Sequence, residues 1–391
     1  MMSIHDFDDI RPFLPEELPA VYDKLLADPE FLNVLAYIYQ GVPEDQLAAL
    51  IRSCETNLDF QLKLVYPMLK HLVVTAATSL TANFSALDGE REHSHTFISN
   101  HRDIVLDSAF LSVVLHDAGF NTVEIAIGDN LLIRPWIKDL VRINKSFIVQ
   151  RALTMRQMLM ASAKMSRYMH FCINEKKENI WIAQREGRAK DSNDRTQESV
   201  LKMMTMGGDL RDLNIVPLAI TYEYDPCDYL KAQEFQNKRD IEGFHKSQQD
   251  DLDNMRVGIF GPKGKIHYHA APCINDWLDT LPADMPKADY FHAVAEHIDL
   301  EIHRHYHLYA GNYVAADLLQ ERYPNRMDGI SKPVRYDDRY TAEQRKQFEA
   351  YIQGKLAMIN LASPDRDFLT ERMLTMYANP VFNHEAAIQH A

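Results

Sequence analysis

The chain has 391 residues, of which 46% are hydrophobic and 25% charged, and its formal net charge is −14. This composition is typical of a globular protein long enough to bury one large core or two. The acidic balance argues against a nucleic-acid-binding protein, since those present a basic face. The four cysteines lie far apart and form no CxxC pair, which favours a reducing, cytoplasmic environment over a disulfide framework or a cysteine zinc site.

Residues 1–90 are predicted to form an N-terminal helical region, because apolar residues recur at helical spacing after proline-marked starts near Pro15 and Pro43. The acidic N-terminus lacks the basic start and apolar run of an export signal. The most apolar stretch, residues 62–87, is interrupted by charged residues and is too polar for a membrane span. We expect a buried helix there, and a helix lying on a membrane surface is the alternative.

Residues 91–275 are predicted to form an α/β domain. Helix-like stretches separate most of its short β-branched runs, which predicts a mixed, largely parallel central sheet flanked by helices. The predicted strands are residues 96–99, 122–127, 146–150, 179–184, 214–220 and 265–270. Surface loops are expected at 186–195 and 242–265. Residues 276–391 return to helical spacing and are predicted to form a helical C-terminal region packed on the α/β domain.

Basic residues are concentrated between positions 134 and 167. Against the single acid Asp139, the segment contains Arg134, Lys138, Arg142, Lys145, Arg151, Arg156, Lys164 and Arg167. Such a local surplus in an acidic protein indicates a phosphorylated ligand or anionic lipid headgroups, and a solvated helix face is the alternative.

Two further patterns have competing interpretations. Methionines at near-helical spacing, Met155, Met158, Met160, Met165 and Met169, fit core packing or an adaptable surface for acyl chains or membrane. His303, His305 and His307 alternate as zinc ligands on a strand would. Because that run continues a helical pattern and no partner carboxylate is fixed, we expect no metal site.

Polar residues follow three of the predicted strands directly. These are Asn100 to Asp107 after the first strand, Arg151 after 146–150, and Arg185 to Arg188 after 179–184. Ligands of α/β sheets bind beyond the carboxyl ends of strands, so we expect these residues to share one site. A neutral imidazole at His101 is suited to take the proton of an attacking hydroxyl, Asp107 to orient it, and arginines to bind a phosphate.

The tripeptide His101-Arg102-Asp103 also occurs in the catalytic loop of protein kinases, where an Asn five positions after the Asp holds a metal. Here position 108 is Ser, no kinase Gly-rich loop precedes it and no convincing DFG follows. The kinase hypothesis is therefore set aside.

Four blocks, in order, resemble the glycerolipid acyltransferase family, which includes glycerol-3-phosphate and 1-acylglycerol-3-phosphate acyltransferases. They are NHRDIVLD (100–107), KSFIVQR (145–151), REGR (185–188) and IVPLAITYEY (215–224), about a third of the chain, and residues 125–151 look like the bacterial glycerol-3-phosphate branch. The resemblance implies that His101 and Asp107 are catalytic and that Pro217 borders the acyl donor. The residues expected to bind the acceptor are Arg151, Glu186, Gly187 and Arg188, with Lys145 and Arg185 beside them.

The chain departs from the family pattern at three points. Five residues separate His101 from Asp107 where the family has four, so either the loop bulges to bring Asp107 in or Asp103 substitutes; we favour Asp107. Arg185 replaces a Pro, and Arg188 follows Gly187 without the usual spacer residue. Lys145 stands where the second block usually has Gly.

The resemblance implies an O-acyltransferase of phospholipid biosynthesis. It would transfer a fatty acyl group from acyl-CoA or acyl carrier protein, as co-substrate, to the hydroxyl of a glycerol-3-phosphate or lysophospholipid acceptor, with no metal and no bound cofactor. We expect a cytoplasmic protein, peripheral at the inner face of a bacterial membrane, with an anionic membrane surface as partner. The alternatives are the same fold acylating an amino-acid or hydroxylated lipid, and a catalytically silent lipid- or acyl-carrier-binding protein.

Overall fold

The β-branched runs pair into one sheet in the computed structural model, which describes residues 3–150, 154–324 and 334–389. All six predicted strands are confirmed. The strands are β1 (Ser79–Asn83), β2 (Thr96–Ser99), β3 (Val123–Gly128), β4 (Ser146–Val149), β5 (Asn179–Ala183), β6 (Ile215–Tyr222) and β7 (Lys265–Ala270). Their order across the sheet is β1-β7-β6-β2-β5-β3-β4.

The sheet is mixed and largely parallel, as predicted. Strands β6, β2, β5, β3 and β4 run in one direction. Strand β7 pairs antiparallel with β6, and β1 pairs parallel with β7. The carboxyl ends of five strands therefore meet at one edge, called here the carboxyl edge, and the opposite edge is called the amino edge.

One strand was not predicted. The helix expected over residues 62–87 ends at Ala76, and Ser79–Asn83 then forms β1 at the end of the sheet. Because β1 is an edge strand with no fully buried residue, its sequence SLTAN has no continuous apolar run to indicate a strand.

Helices occupy most of the remaining described chain. They are α1 (Leu18–Leu26), α2 (Pro29–Ile38), α3 (Glu44–Arg52), α4 (Asn57–Phe60), α5 (Tyr66–Ala76), α6 (Leu106–Asp117), α7 (Pro135–Ile143), α8 (Met155–Phe171), α9 (Glu198–Met204), α10 (Asp228–Asp240), α11 (Gln248–Phe260), α12 (Asn275–Leu278), α13 (Lys287–Arg304), α14 (Ala310–Arg322), α15 (Ala342–Ala357) and α16 (Arg366–Gln389). Helix α11 lies inside the segment 242–265, so the prediction of a loop there was wrong. Helix α13 ends at Arg304, so His305 and His307 lie in the connection to α14 rather than in a helix.

Two helical layers cover the sheet. Helices α5 and α6 pack on one face, against residues such as Phe97 and Trp181, and α8, α9 and α13 pack on the other, against Ile98 and Ile180. A third cluster joins α10 to the C-terminal helices α14, α15 and α16. A fourth joins the N-terminal helices to α7. Among the described residues, no helix combines the length and the hydropathy that crossing a bilayer requires.

Candidate active site

His101 and Asp107 meet at the carboxyl edge, where β2 turns into α6. Nδ1 of His101 lies 2.8 Å from Oδ2 of Asp107. The same carboxylate oxygen accepts hydrogen bonds from the backbone N–H groups of Arg102, at 2.6 Å, and Asp103, at 3.0 Å. The His101 side chain is 13% exposed and that of Asp107 is 1% exposed. Asp107 also lies in the first turn of α6, next to the positive end of the helix dipole.

A capped turn accommodates the extra residue between His101 and Asp107. Oδ1 of Asp103 accepts hydrogen bonds from the backbone N–H groups of Val105, at 2.9 Å, and Leu106, at 2.8 Å. Leu106 is 1% exposed and packs in the core shared with α5. Asp103 therefore closes the turn, while Asp107 and not Asp103 contacts His101.

Neighbouring strands fix the position of the loop. The side-chain amide of Asn100 donates to the carbonyl oxygen of Ile220 and accepts from its N–H, both at 2.8 Å, which attaches the end of β2 to β6. The ring of Trp181 lies against His101 with centroids 5.5 Å apart. The hydroxyl of Tyr268 donates to the carbonyl oxygen of Asp107 at 2.8 Å. The loop that carries His101 is thus held by groups from β5, β6 and β7, and Trp181 contacts the imidazole itself.

The segment 185–188 follows β5 at the same edge. Nη2 of Arg188 lies 3.3 Å from Oδ1 of Asn254 in α11. Burial and the Asp107 carboxylate raise the pKa of Asp103, and the nearby Arg188 guanidinium opposes that rise. Glu186 and Gly187 are exposed, and Gly187 has a φ of 67°, the left-handed region that glycine adopts freely. The structure therefore brings Arg188 to the loop of His101.

Helix α11 closes over this loop. A side chain at Gly258 would collide with the carboxylate of Asp103, so glycine permits the close approach of the helix. In the sequence, Gly258 belongs to a glycine-containing stretch that was expected to be a loop. Its spacing gave no sign of which residue it would contact.

Lys145 is not part of this site. It precedes β4 and therefore lies at the amino edge, where Nζ donates to Glu178 at 2.7 Å and to Thr122 at 3.1 Å. The expectation that Lys145 binds the acceptor is corrected on this point. Its φ of 58° is in the left-handed region, which gives a physical reason why glycine would suit this position.

The remaining expected residues are placed as follows. Pro217 lies in the middle of β6 and pairs with Ile98 of β2. Its carbonyl oxygen accepts from the backbone N–H of Ala271, and its lack of an N–H removes one donor from the ladder, which is unusual in a central strand. Nε of Arg185 is buried and has no hydrogen-bond partner among the described residues. Arg151 lies outside the described residues.

The basic surplus of residues 134–167 is dispersed in the structure. Arg142 is buried and donates to the backbone oxygens of Arg11 and Asp8, while Lys145 pairs with Glu178. Two more basic residues pair with acids on the surface, Arg134 with Glu30 and Lys164 with Asp9. These four of the described basic residues therefore point to partners in different parts of the protein and do not share one basic face.

The methionine series divides between core and surface. Met165 and Met169 are buried in the core under α8. Met155, Met158, Leu159 and Met160 are exposed by 78%, 46%, 59% and 64%. Since α8 follows β4, its exposed first turns lie at the carboxyl edge, as His101 does.

Four histidine rings form a separate cluster. His267 and His269 on β7 lie against His307 and His305, with ring centroids 4.9 Å and 4.4 Å apart. Burial, followed by the neighbouring imidazoles, lowers the pKa of His267 and of His269 to about 4, so both are neutral near pH 7. In the part of the chain that the structure describes, no group of His, Cys, Asp and Glu side chains is arranged to hold a metal ion.

Several residues around the loop were not identified from the sequence. Trp181 and Tyr268 were seen only as parts of strands, and the loop residues Ser192 and Asp194 only as surface polar groups. The period-two alternation of β5 and β7 places Trp181 and Tyr268 on the same face as α6, so a tighter prediction of strand register could have indicated them.

No protein-family model and no curated protein matches the chain. A matching solved structure is the 1-acyl-sn-glycerophosphate (LPA) acyltransferase PlsC from Thermotoga maritima. The identity is 10% and the TM-score 0.37, over 73% of this chain and 95% of that chain. A TM-score at this level does not establish a common fold, so the proposals below rest on the residues of this chain.

Proposed function

We propose that the protein is an O-acyltransferase in which His101 is the general base. The observation that carries the proposal is the pairing of His101 with the buried Asp107 at the carboxyl edge. A second line of support is that four sequence blocks resemble those of the glycerolipid acyltransferases and occur in the same order. The proposed donor is acyl-CoA or acyl carrier protein, and the proposed acceptor is glycerol-3-phosphate or a lysophospholipid, as in phospholipid biosynthesis.

The proposed step follows from the imidazole geometry. When Nδ1–H of His101 donates to Asp107, Nε2 carries the free lone pair and can take the proton of the acceptor hydroxyl. The alkoxide oxygen forms a bond to the thioester carbonyl carbon, and the tetrahedral intermediate expels the thiolate. The imidazolium returns its proton to the thiolate, so the products are an ester and a free thiol. Asp107 stabilises the imidazolium while it exists.

Acceptor binding is proposed for the loop after β5. Arg188 lies near Asp103, which supports a role for its guanidinium in binding the acceptor phosphate, with Arg185, Glu186 and Gly187 beside it in the chain. Arg151 keeps its expected role as a second phosphate-binding arginine.

The decisive experiment is a thiol-release assay with a long-chain acyl-CoA. The purified chain is compared with His101→Ala across a panel of glycerol-3-phosphate, lysophosphatidic acid, lysophosphatidylcholine, and an amino-acid lipid. We expect thiol release with a phosphorylated glycerol acceptor, abolished in the variant. Release only with the amino-acid lipid would identify the alternative acceptor. Silence of the wild-type protein with every acceptor, repeated with acyl carrier protein as donor, would contradict the enzyme proposal and favour a lipid-binding protein.

We also propose that the exposed first turns of α8 contact a lipid surface. Met155, Leu159 and Met160 are more than half exposed at the same edge as His101, and long flexible side chains suit a fluid apolar surface. Because the most exposed side chains of these turns are apolar and Lys164 is paired with Asp9, we expect the contact to depend more on apolar burial than on charge.

Vesicle sedimentation tests the lipid contact. We expect binding to anionic and to neutral vesicles with little effect of salt, and its loss in Met155→Gln/Leu159→Gln. Val74→Gln is the matched control, since Val74 is 81% exposed on α5, on the other face of the sheet. Failure of the wild-type protein to sediment with either vesicle would contradict the contact.

A further inference from the structure

Buried charged side chains from two other parts of the chain contact the loop that carries His101. Two backbone N–H groups, those of Arg102 and Asp103, bind the Asp107 carboxylate that faces the imidazole. The angle between Asp107 and His101 therefore depends on where the backbone of Arg102 lies. Two other parts of the chain fix Arg102, one through its side chain and one through its carbonyl oxygen.

The side chain of Arg102 is held by the segment that follows the loop after β5. The guanidinium is 8% exposed, forms an ion pair with Asp194, and donates to the hydroxyl of Ser192. Asp194 is completely buried. Removing one partner of such a pair leaves an uncompensated buried charge, which is costly enough to displace the other partner.

The carbonyl oxygen of Arg102 is held by α10. Nζ of Lys231 donates to that oxygen at 3.3 Å and forms an ion pair with Asp225. Lys231 is 1% exposed and Asp225 is 7% exposed. Burial alone would raise the pKa of Asp225, but the Lys231 charge and hydrogen bond lower it below its usual range, so this ion pair is retained at neutral pH.

Helix α16 supports both contacts. The hydroxyl of Tyr377 accepts from the backbone N–H of Asp225 at 3.0 Å. Two residues further along, the side-chain amide of Asn379 donates to the carbonyl oxygen of Asp191 at 2.8 Å. Helix α16 of the C-terminal region thus contacts the segments that carry Asp225 and Asp194.

We propose that Asp194 and Lys231 are positioning residues, which fix Arg102 so that its backbone holds Asp107 against Nδ1 of His101. Its consequence for catalysis rests on the proposed function. Its consequence for the His101 tautomer rests on the geometry alone. Neither side chain touches substrate. Both act through Arg102, and α16 contacts the segments that carry Asp225 and Asp194.

Kinetics test the consequence for catalysis. We expect Asp194→Asn and Lys231→Met to lower kcat by about 10- to 100-fold, because a small misplacement of a catalytic group has that effect, with the KM of the acceptor unchanged. The pH dependence of kcat should shift as well, since the imidazolium loses part of its stabilisation. Arg102→Lys keeps a positive charge opposite Asp194. We expect this variant to fold and to lose less kcat than Asp194→Asn.

The matched control is Glu124→Gln. Glu124 is a buried carboxylate of β3 that pairs with Lys176 and accepts from Tyr168 at 2.6 Å. It lies toward the amino edge, so its loss should lower the melting temperature without changing kcat or the pH profile. An equal loss of kcat in Glu124→Gln would show that general destabilisation, rather than positioning, explains the effect.

A measurement without turnover separates this proposal from the proposed function. In protein labelled with ¹⁵N-histidine, the ring-nitrogen signals of His101 are identified because they are absent from His101→Gln. Nitrogen NMR should show the tautomer protonated at Nδ1 in the wild-type protein and in Glu124→Gln, and a mixture in folded Asp194→Asn and Lys231→Met. An unchanged tautomer in both folded variants would overturn the positioning proposal, whatever the acyl-transfer assay shows.

Discussion

The two edges of the sheet use the same kinds of charged residue in different ways. At the amino edge, Lys145 pairs with Glu178, and Lys176 pairs with Glu124 of β3. At the carboxyl edge, Asp107 contacts Nδ1 of His101, and Nε2 of the same ring is not used by Asp107. The lysine–glutamate pairs of the amino edge therefore join two charged groups to each other, whereas the His101–Asp107 pair leaves a second ring nitrogen for chemistry.

The largest effect is expected for His101→Ala. Loss of the general base should lower acyl transfer by about 10²- to 10⁴-fold. The melting temperature should fall as well, because the change removes the contact with Trp181 and leaves the buried Asp107 with the backbone N–H groups of Arg102 and Asp103. Steady-state thiol release with the acceptor from the panel, beside a thermal melt, is the measurement. Retained turnover in the folded variant would remove His101 from the mechanism.

Asp107→Asn is expected to have the next largest effect. The amide can still accept a hydrogen bond, but it no longer carries the charge that stabilises the imidazolium, so kcat should fall by about 10²-fold or more. Asp103→Asn is the comparison, because Asp103 contacts backbone N–H groups of the turn and not His101. If Asp103→Asn were the more damaging of the two for kcat, the assignment of the acid would be reversed.

At the amino edge, Lys145→Met should affect stability and not activity. Removing Lys145 deprives Glu178 and Thr122 of the hydrogen bonds that Nζ donates to them. The free energy of unfolding should therefore fall by about 1–3 kcal/mol. Denaturant unfolding and the thiol-release assay on the same sample provide the check. A raised KM for the acceptor at unchanged stability would restore Lys145 to the acceptor site and contradict its placement.

The smallest effect concerns the histidine cluster and pH. The pKa of His267 and of His269 is lowered to about 4 in the folded protein, mainly by burial, so the unfolded chain binds more protons between pH 4 and about 6.5. The free energy of unfolding should therefore fall as the pH falls through that window. The groups around the cluster include Thr81 on β1, which lies 2.8 Å from Nδ1 of His267, and Lys265 and Glu301.

Denaturant unfolding at a series of pH values tests the cluster. The variant His267→Gln/His269→Gln should have a shallower pH dependence than the wild-type protein. Part of the dependence should remain, because burial also lowers the pKa of His297 to about 4 and that of His303 to about 3. An unchanged slope in the double variant would show that these two rings do not titrate as their burial implies.

The fold class was predictable because the central strands are buried on both faces. Strands such as β2 and β6 consist of buried residues throughout, so β-branched runs mark them in the sequence. Strand β1 was not predicted because it is the outermost strand of the sheet and is half exposed. Helix α11 was missed because its acidic first turns and Gly258 read as a loop, although that glycine serves the close contact with Asp103.

The candidate site was predictable only in part. The spacing of His101 and Asp107 within one strand-to-helix connection allowed their contact to be expected before the structure was known. The placement of Lys145 was wrong because it was transferred from a block resemblance, while its position before β4 puts it at the other edge. Arg102, Asp194 and Lys231 come together from distant segments, and no local pattern indicates that contact.

The sequence by itself determined the strands, the local pairing of a histidine with a nearby acid, and the helical character of both ends. These follow from short-range chemistry, since period and burial are encoded in neighbouring residues. Tertiary structure alone decided how the turn accommodates the extra residue before Asp107, which basic residues form internal ion pairs, and how α16 supports the loop. Those outcomes depend on the direction and register of strands and on which buried charges find partners, and both are set by contacts between residues far apart in the chain.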